Sequence, residues 1–127
     1  MMLEIDIPYI HKVRFGIMKV AVIGSRSITA YPLEEVIPPE TTEIISGGAR
    51  GVDALAREYA LAHGIPLTEI LPDYPRYGRG APLRRNEEII SHAELVIALW
   101  DGKSSGTAHV INQCKKLGKP FRLIAGT

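Results

Sequence analysis

A chain of 127 residues, 46% hydrophobic and 23% charged, can bury roughly two-thirds of its unfolded surface in one core and needs no staples to fold. Fifteen Lys plus Arg against fourteen Asp plus Glu leave a net charge of +1, which excludes a global attraction to nucleic acid or anionic membrane, so any anion site must be local. The single cysteine, Cys114, excludes an internal disulfide and a cysteine metal cluster and points to a reducing, cytoplasmic setting.

No apolar run approaches the ~20 residues that cross a bilayer, and Glu4, Asp6 and Pro8 interrupt the start where a signal peptide would be apolar. Neither a membrane nor a secretory role is expected. Met18 stands directly before the first convincing strand. Residues 1–17 therefore read as an added arm or as an extra edge strand, with IHKVRFGI its strand-like part, and residues 18–127 as the globular domain.

KVAVIG (Lys19–Gly24) and TEIISG (Thr42–Gly47) are short, rich in Val and Ile, and end in glycine, which predicts two buried strands. Between them, YPLEEVIPPE holds a helical turn or two, cut off by Pro38 and Pro39. Val52, Leu55, Ala56, Tyr59, Ala60 and His63 then follow the spacing of one helix face, with Gly64 placed as C-cap. PLTEIL predicts a third strand, PDYPRYGRGAP a loop, LRRNEEIISH a helix and ELVIALW a long fourth strand. TAHVINQCKKLG predicts a last helix with Val110, Cys114 and Leu117 inward, and FRLIAG a fifth strand. Strands alternating with helices build right-handed parallel βαβ units, hence an α/β three-layer Rossmann-like sandwich on a mainly parallel five-stranded sheet.

In such sheets ligands bind beyond the carboxyl ends of the strands. Three strands end in loops of Gly, Ser, Arg and Asp: Gly24–Ser27, Ser46–Asp53 and Asp101–Thr107. The last two lead straight into helices, whose amino-terminal N–H groups favour an anion. Gly47, Gly48, Gly51 and Gly106 can take positive φ and bring the main chain close to a phosphate.

Arg26 and Arg50 are candidates to fork onto that phosphate. Asp53, in a first helical turn, is a dipole-complementing residue or a ligand for ribose or metal, and Asp101 is a ribose or catalytic acid or an Asx turn former. Tyr74 and Tyr77 interleaved with Arg76, Arg79, Arg84 and Arg85 suit base stacking with phosphate contact, or a plain polar loop stiffened by prolines. Trp100 packs the sheet end or stacks on a base, Ser105 or Thr107 caps the last helix, and Cys114 is an inert core residue. The four histidines show no metal-ligand spacing, so no metal is expected; His109 alone lies near the site edge.

The known phosphate motifs fit poorly. GKS at Gly102–Ser104 would need glycine at Ile97 to be a P-loop, and the dinucleotide fingerprint GxGxxG is missed at Arg26 and Thr29 and half met in SGGARG, where Ser46 replaces its first glycine.

SGGARGVD resembles the SGGARG(I/V)D signature of the DNA-processing protein A family, part of the SLOG superfamily of Rossmann-like domains that also holds the Lonely Guy phosphoribohydrolases. The chain is similar to the small YspA-like branch in GSR after strand one, GGARGVD after strand two, a Tyr/Gly/Arg loop ending in Arg85–Asn86, the VIALWDG strand, and Gly106–Thr107. The resemblance runs from about Met18 to the end and implies a nucleotide or nucleotide-derived ligand. It implies a ligand set of Gly24, Ser25 and Arg26; Ser46, Gly47, Gly48, Ala49, Arg50, Gly51 and Asp53; Arg85 and Asn86; and Asp101, Gly102, Ser105, Gly106 and Thr107.

The departures are informative. Lonely Guy enzymes carry PGGxGTxxE, whereas here Lys103 and Ser104 stand for the glycines and Val110 for the acid. The DNA-processing pattern usually has histidine after its alanine, whereas Arg57 follows Ala56 here. The leading expectation is binding of a nucleoside phosphate or an ADP-ribose-like molecule, with no cofactor certain. The alternatives are a nucleotide phosphoribohydrolase using Asp101 or Asp53, and a single-stranded nucleic-acid binder using the arginine and tyrosine loop. Related folds often pair through helices, so a homo-oligomer is compatible, although no exposed apolar stripe argues for one.

Overall fold

The computed structural model describes residues 3–6 and 17–125. Six strands form one sheet in the order β1-β6-β5-β2-β3-β4: β1 is Leu3–Asp6, β2 Lys19–Gly24, β3 Glu43–Ser46, β4 Leu67–Glu69, β5 Leu95–Trp100 and β6 Phe121–Ala125. Strands β2 to β6 are mutually parallel, and β1 adds to β6 antiparallel, with Leu3 opposite Ala125. The five-stranded parallel sheet is therefore as expected, with one more strand at its edge. IHKVRFGI lies outside the described residues except for Ile17.

Alternation along the strands builds the three layers. Val20 and Val22 of β2, with Leu95, Ile97 and Leu99 of β5, face a core closed by Val52, Ala56 and Ala60 of helix α1 (Val52–His63). The residues between them, Ala21, Ile23, Val96 and Ala98, face a second core closed by Ile89 and Ile90 of α3 (Ala81–His92) and Val110 and Cys114 of α4 (Ser105–Leu117). Burial pushes the Cys114 thiol up to about 11, which keeps it an unreactive core group.

Three local expectations need correction. PDYPRYGRGAP is not a plain loop: α2 (Tyr74–Tyr77) is capped by Asp73, whose carboxylate accepts from the Arg76 N–H at 3.2 Å, and a 3-10 turn at Gly78–Gly80 leads directly into α3. Pro75 and Pro82 fall in the first turns of α2 and α3, where a missing N–H costs nothing. Leu117 is 63% exposed, because it lies in the last turn of α4, beside Ile17 and Pro120 in a surface groove. His63 also faces solvent, stacked on Tyr59 with ring centroids 4.0 Å apart. No helix among the described residues is long and apolar enough to cross a membrane.

The chain runs from central β2 outward through β3 to β4, then returns across β2 to β5 and β6. Strand order thus reverses between β2 and β5. The crevice of an open α/β sheet falls at this point.

Candidate functional site

The loops after β2, β3 and β5 meet in one cleft of about 610 Å³ at that reversal. Gly24 and Arg26 enter from the first loop, Ala49, Arg50 and Asp53 from the second, and Asp101, Ser105, Gly106 and Thr107 from the third. Arg85 and Asn86 reach it from α3. Of the remaining residues of the expected set, Ser25, Ser46, Gly47 and Gly51 are buried behind the lining, whereas Gly48 and the exposed Gly102 lie on the loops outside it.

Those residues shape the loops. Gly51 has φ +73°, and a Cβ there would sit 2.5 Å from the Arg26 Cα and 2.6 Å from the Ser25 carbonyl oxygen, so only glycine lets the first two loops touch. Gly48 and Gly102 also take positive φ, whereas Gly47 and Gly106 do not, contrary to expectation. Gly47 is needed for a different reason: its Cβ would meet the Arg85 Nη1 at 2.5 Å and the Asp53 Oδ2 at 2.9 Å.

Asp53 and Arg85 brace the glycine loop from beneath. The Asp53 carboxylate accepts from the Ala49 N–H at 3.1 Å, while the Arg85 Nη1 donates to the carbonyls of Gly47 at 2.6 Å and Ile70 at 3.3 Å. Arg85 Nε donates to the Asn86 side-chain oxygen at 2.8 Å, which orients the guanidinium. Burial raises the Asp53 pKa above the usual carboxylate value, opposed first by the Ala49 N–H and then by the charge of Arg85. Burial likewise lowers that of Arg85, and nearby Arg26 adds to this through like-charge repulsion.

Asp101 fastens the third loop to the first. Its Oδ1 accepts from the Lys103 and Ser104 N–H groups, each at 2.8 Å, and its Oδ2 from the Ser27 hydroxyl at 2.7 Å. The Asp101 N–H in turn donates to the buried Ser25 hydroxyl at 3.0 Å. The Lys103 N–H foremost, then the Ser104 N–H and the Ser27 hydroxyl, hold the carboxyl far below its ordinary range, so Asp101 is an Asx-turn anion.

The cap of α4 is Ser104, not Ser105 or Thr107: its hydroxyl accepts from the Thr107 N–H at 3.4 Å and donates to the Thr107 hydroxyl at 3.0 Å. Trp100 packs against the α3–α4 core, and its indole N–H donates to the Ser104 carbonyl at 2.9 Å. His109 turns toward α3, with Nε2 3.9 Å from Glu87 Oε2, and does not line the cleft. Among the described residues no group of three or more His, Cys, Asp and Glu could hold a metal.

Arg26 and Arg50 differ from every other charged residue of the cleft. Both are exposed, and among the described residues neither makes an ion pair or a side-chain hydrogen bond. The sequence reading missed Pro82 and Leu83, which form an apolar wall of the cleft. Leu83 is 41% exposed, and the signal for it was an apolar residue in the first turn after a proline.

Fold and site together define a Rossmann-like α/β domain with an arginine-lined cleft at the carboxyl edge of its parallel strands. The sequence matches the DNA recombination-mediator protein A family over residues 12–75, a span that takes in β2, β3, the glycine loop and α1, and the chain belongs to that family. It is similar to the Gene 61 protein of Mycobacterium phage D29, 32% identical over 83 residues, with 61% of this chain and 66% of the phage protein covered. No solved structure matches the chain.

Proposed function

We propose that the protein binds a nucleotide or nucleotide-derived phosphate in the three-loop cleft. The observation that carries this is the pair Arg26 and Arg50, two exposed guanidiniums in one crevice with no carboxylate partner among the described residues. A guanidinium fork matches phosphate oxygens in shape and charge. Ser105 and Gly106, in the first turn of α4, line the same crevice, so the positive end of that helix dipole adds to the attraction. The volume of about 610 Å³ suits a nucleotide-sized ligand.

A second reading, in which the phosphate belongs to a single-stranded nucleic acid, is favoured by membership of a family named for DNA recombination. The exposed Tyr77 ring adds to it, with the Arg76 and Arg84 guanidiniums 5.2 and 5.4 Å from its centroid. Aromatic and guanidinium faces of this kind stack on bases without choosing among them. Phosphoribohydrolase turnover is less well supported, because Asp101 and Asp53 are both committed to holding loops.

A thermal-shift panel of nucleoside phosphates and short oligonucleotides tests the readings together. A ligand at about 100 times its Kd stabilises the fold by roughly 2.7 kcal/mol. Shifts with mononucleotides support the first reading, and steeply salt-dependent shifts with oligonucleotides alone support the second. A panel with no shift at all removes both.

A further inference from the structure

A second hollow, of about 660 Å³, opens on the outer side of the glycine loop and is lined by Arg26, Gly48, Ala49, Arg50, Ala54 and Arg57. Arg26, Ala49 and Arg50 line the cleft as well, so the two hollows share one ridge and one ligand can lie across it. The outer groove holds three arginines and no carboxylate. Glu69 pairs with one of them, its Oε2 lying 2.8 Å from Arg57 Nη2 and 2.9 Å from Arg57 Nε. Among the described residues Arg26 and Arg50 have no ion-pair partner, so the groove keeps local positive charge in a chain whose net charge is only +1.

The arrangement is suited to an anion. Glu69 engages the Nε and Nη2 edge of Arg57, which fixes the side chain over the groove and leaves the rest of its donor fork for a ligand. Small residues lie between the arginines, Gly48 and Ala49 from the loop and Ala54 from α1, which leaves room for a phosphate among the guanidiniums. Three like charges around a partly screened groove repel one another, and a bound dianion reverses the sign of that interaction.

We propose that the outer groove is a second phosphate subsite, with Arg57 its distinguishing residue, and that the ligand carries two phosphates on one nucleoside-length spacer, seated on either side of Ala49. This rests on the reading of the cleft as a nucleotide-phosphate site. Two ligands share the required chemistry: a free nucleoside 3′,5′-bisphosphate and a strand of phosphodiester-linked nucleotides.

The experiment is calorimetric titration of the full chain with thymidine 5′-monophosphate, thymidine 3′,5′-bisphosphate and 5′-phosphorylated dithymidylate, repeated on Arg57→Gln. The two-phosphate ligands are expected to bind the parent about tenfold tighter than the monophosphate, a typical increment for an added charge-assisted contact. Arg57→Gln should erase that advantage and leave monophosphate affinity unchanged. Ala54→Glu, which places a carboxylate in the groove and keeps the Arg57–Glu69 pair, should produce the same selective loss, so the result does not hang on one variant folding well. Equal gains for bisphosphate and dinucleotide would identify the two phosphates as sufficient, and a gain confined to the dinucleotide would identify a strand as the ligand. Monophosphate binding with no gain from a second phosphate, or an equal loss for all three ligands in both variants, would overturn the proposal while leaving the cleft reading intact. Failure of all three to bind the parent would overturn both.

Discussion

Arg85 donates a hydrogen bond of 2.6 Å to the carbonyl oxygen of Gly47, a residue 38 positions earlier in the chain. This contact ties α3 to the first turn of the glycine loop, and Asp53 holds the same loop at Ala49. Their combined effect is a loop whose backbone is fixed from below, while Arg26 and Arg50 stay exposed at the cleft, where the proposed phosphate would meet them. Pre-ordering of this kind reduces the entropy lost on binding.

Arg85→Ala should therefore destabilise the fold, because the buried carbonyl of Gly47 and the part-buried carbonyl of Ile70 lose their side-chain donor. At about 1–3 kcal/mol for a buried polar group left unpaired, and less for the part-buried Ile70 carbonyl, a loss of about 2–4 kcal/mol is expected. Arg85→Lys should recover only part of it, since an ammonium cannot reproduce the fork that also reaches Asn86. Urea denaturation reads this as a lower midpoint at constant m. An Arg85→Ala midpoint equal to that of the parent would show that the contact is dispensable.

Asp53 sets a pH dependence whose sign is fixed by its surroundings. Burial raises its folded pKa above the unfolded value, so ionising it disfavours the native state. That penalty is absent below the unfolded pKa, near 4, and grows as pH rises toward the folded pKa, beyond which it is constant. Asp53→Asn keeps an acceptor for the Ala49 N–H and removes the titration. The stability of the parent relative to Asp53→Asn should therefore fall as pH rises from about 4, in denaturation curves collected across that range. A parent that instead gains stability relative to Asp53→Asn as pH rises would reverse the assignment of burial as the dominant cause.

Gly51 and Gly78 provide an internally controlled pair. Their backbones are nearly the same, φ +73°, ψ −126° at Gly51 and φ +58°, ψ −131° at Gly78. An added Cβ at Gly51 strikes the Arg26 and Ser25 backbone, whereas at Gly78 it meets nothing within 4 Å. Gly78→Ala should show only backbone strain of about 1–3 kcal/mol, and Gly51→Ala that strain plus an overpacking cost of roughly 1–3 kcal/mol. Equal losses in thermal melts would mean that the first two loops separate without cost.

The sheet and its three loops were legible because buried parallel strands read as Val and Ile runs and each ended in Gly, Ser or Asp. Helix α1 was legible from Val52 to Gly64 for the same kind of reason, a period of 3.6 closed by a glycine. What pattern could not supply was direction at the site. Arg26, Arg50 and Arg85 are chemically alike in the sequence, yet two face solvent and one is buried under the glycine loop. That distinction depends on α3 crossing beneath a loop 38 positions away, which no local rule encodes. Asp101 was similarly ambiguous: its Asx turn onto Lys103 and Ser104 is local, but the bond from Ser27, 74 positions earlier, that commits its other oxygen to fastening the loops is visible only in the fold. The helix α2 was missed although Asp73 and Pro75 form a recognisable start, because the prolines and glycines around it outweighed that signal.

Under the proposed reading, the two exposed arginines of the cleft separate binding from folding. Arg26→Ala and Arg50→Ala remove exposed side chains that make no hydrogen bond or ion pair among the described residues, so each should leave folding stability within about 0.5 kcal/mol. Each should weaken binding of a nucleoside phosphate by about 1.5–3 kcal/mol, the range for a hydrogen bond to a charged group. If both guanidiniums grip one phosphate, the double variant loses less than the sum of the singles, because the first loss already frees the phosphate to shift. Titration calorimetry on the four proteins at one fixed salt concentration closes the cycle. Unchanged affinity in both single variants would remove these arginines from the site, and with them the observation on which the nucleotide reading stands.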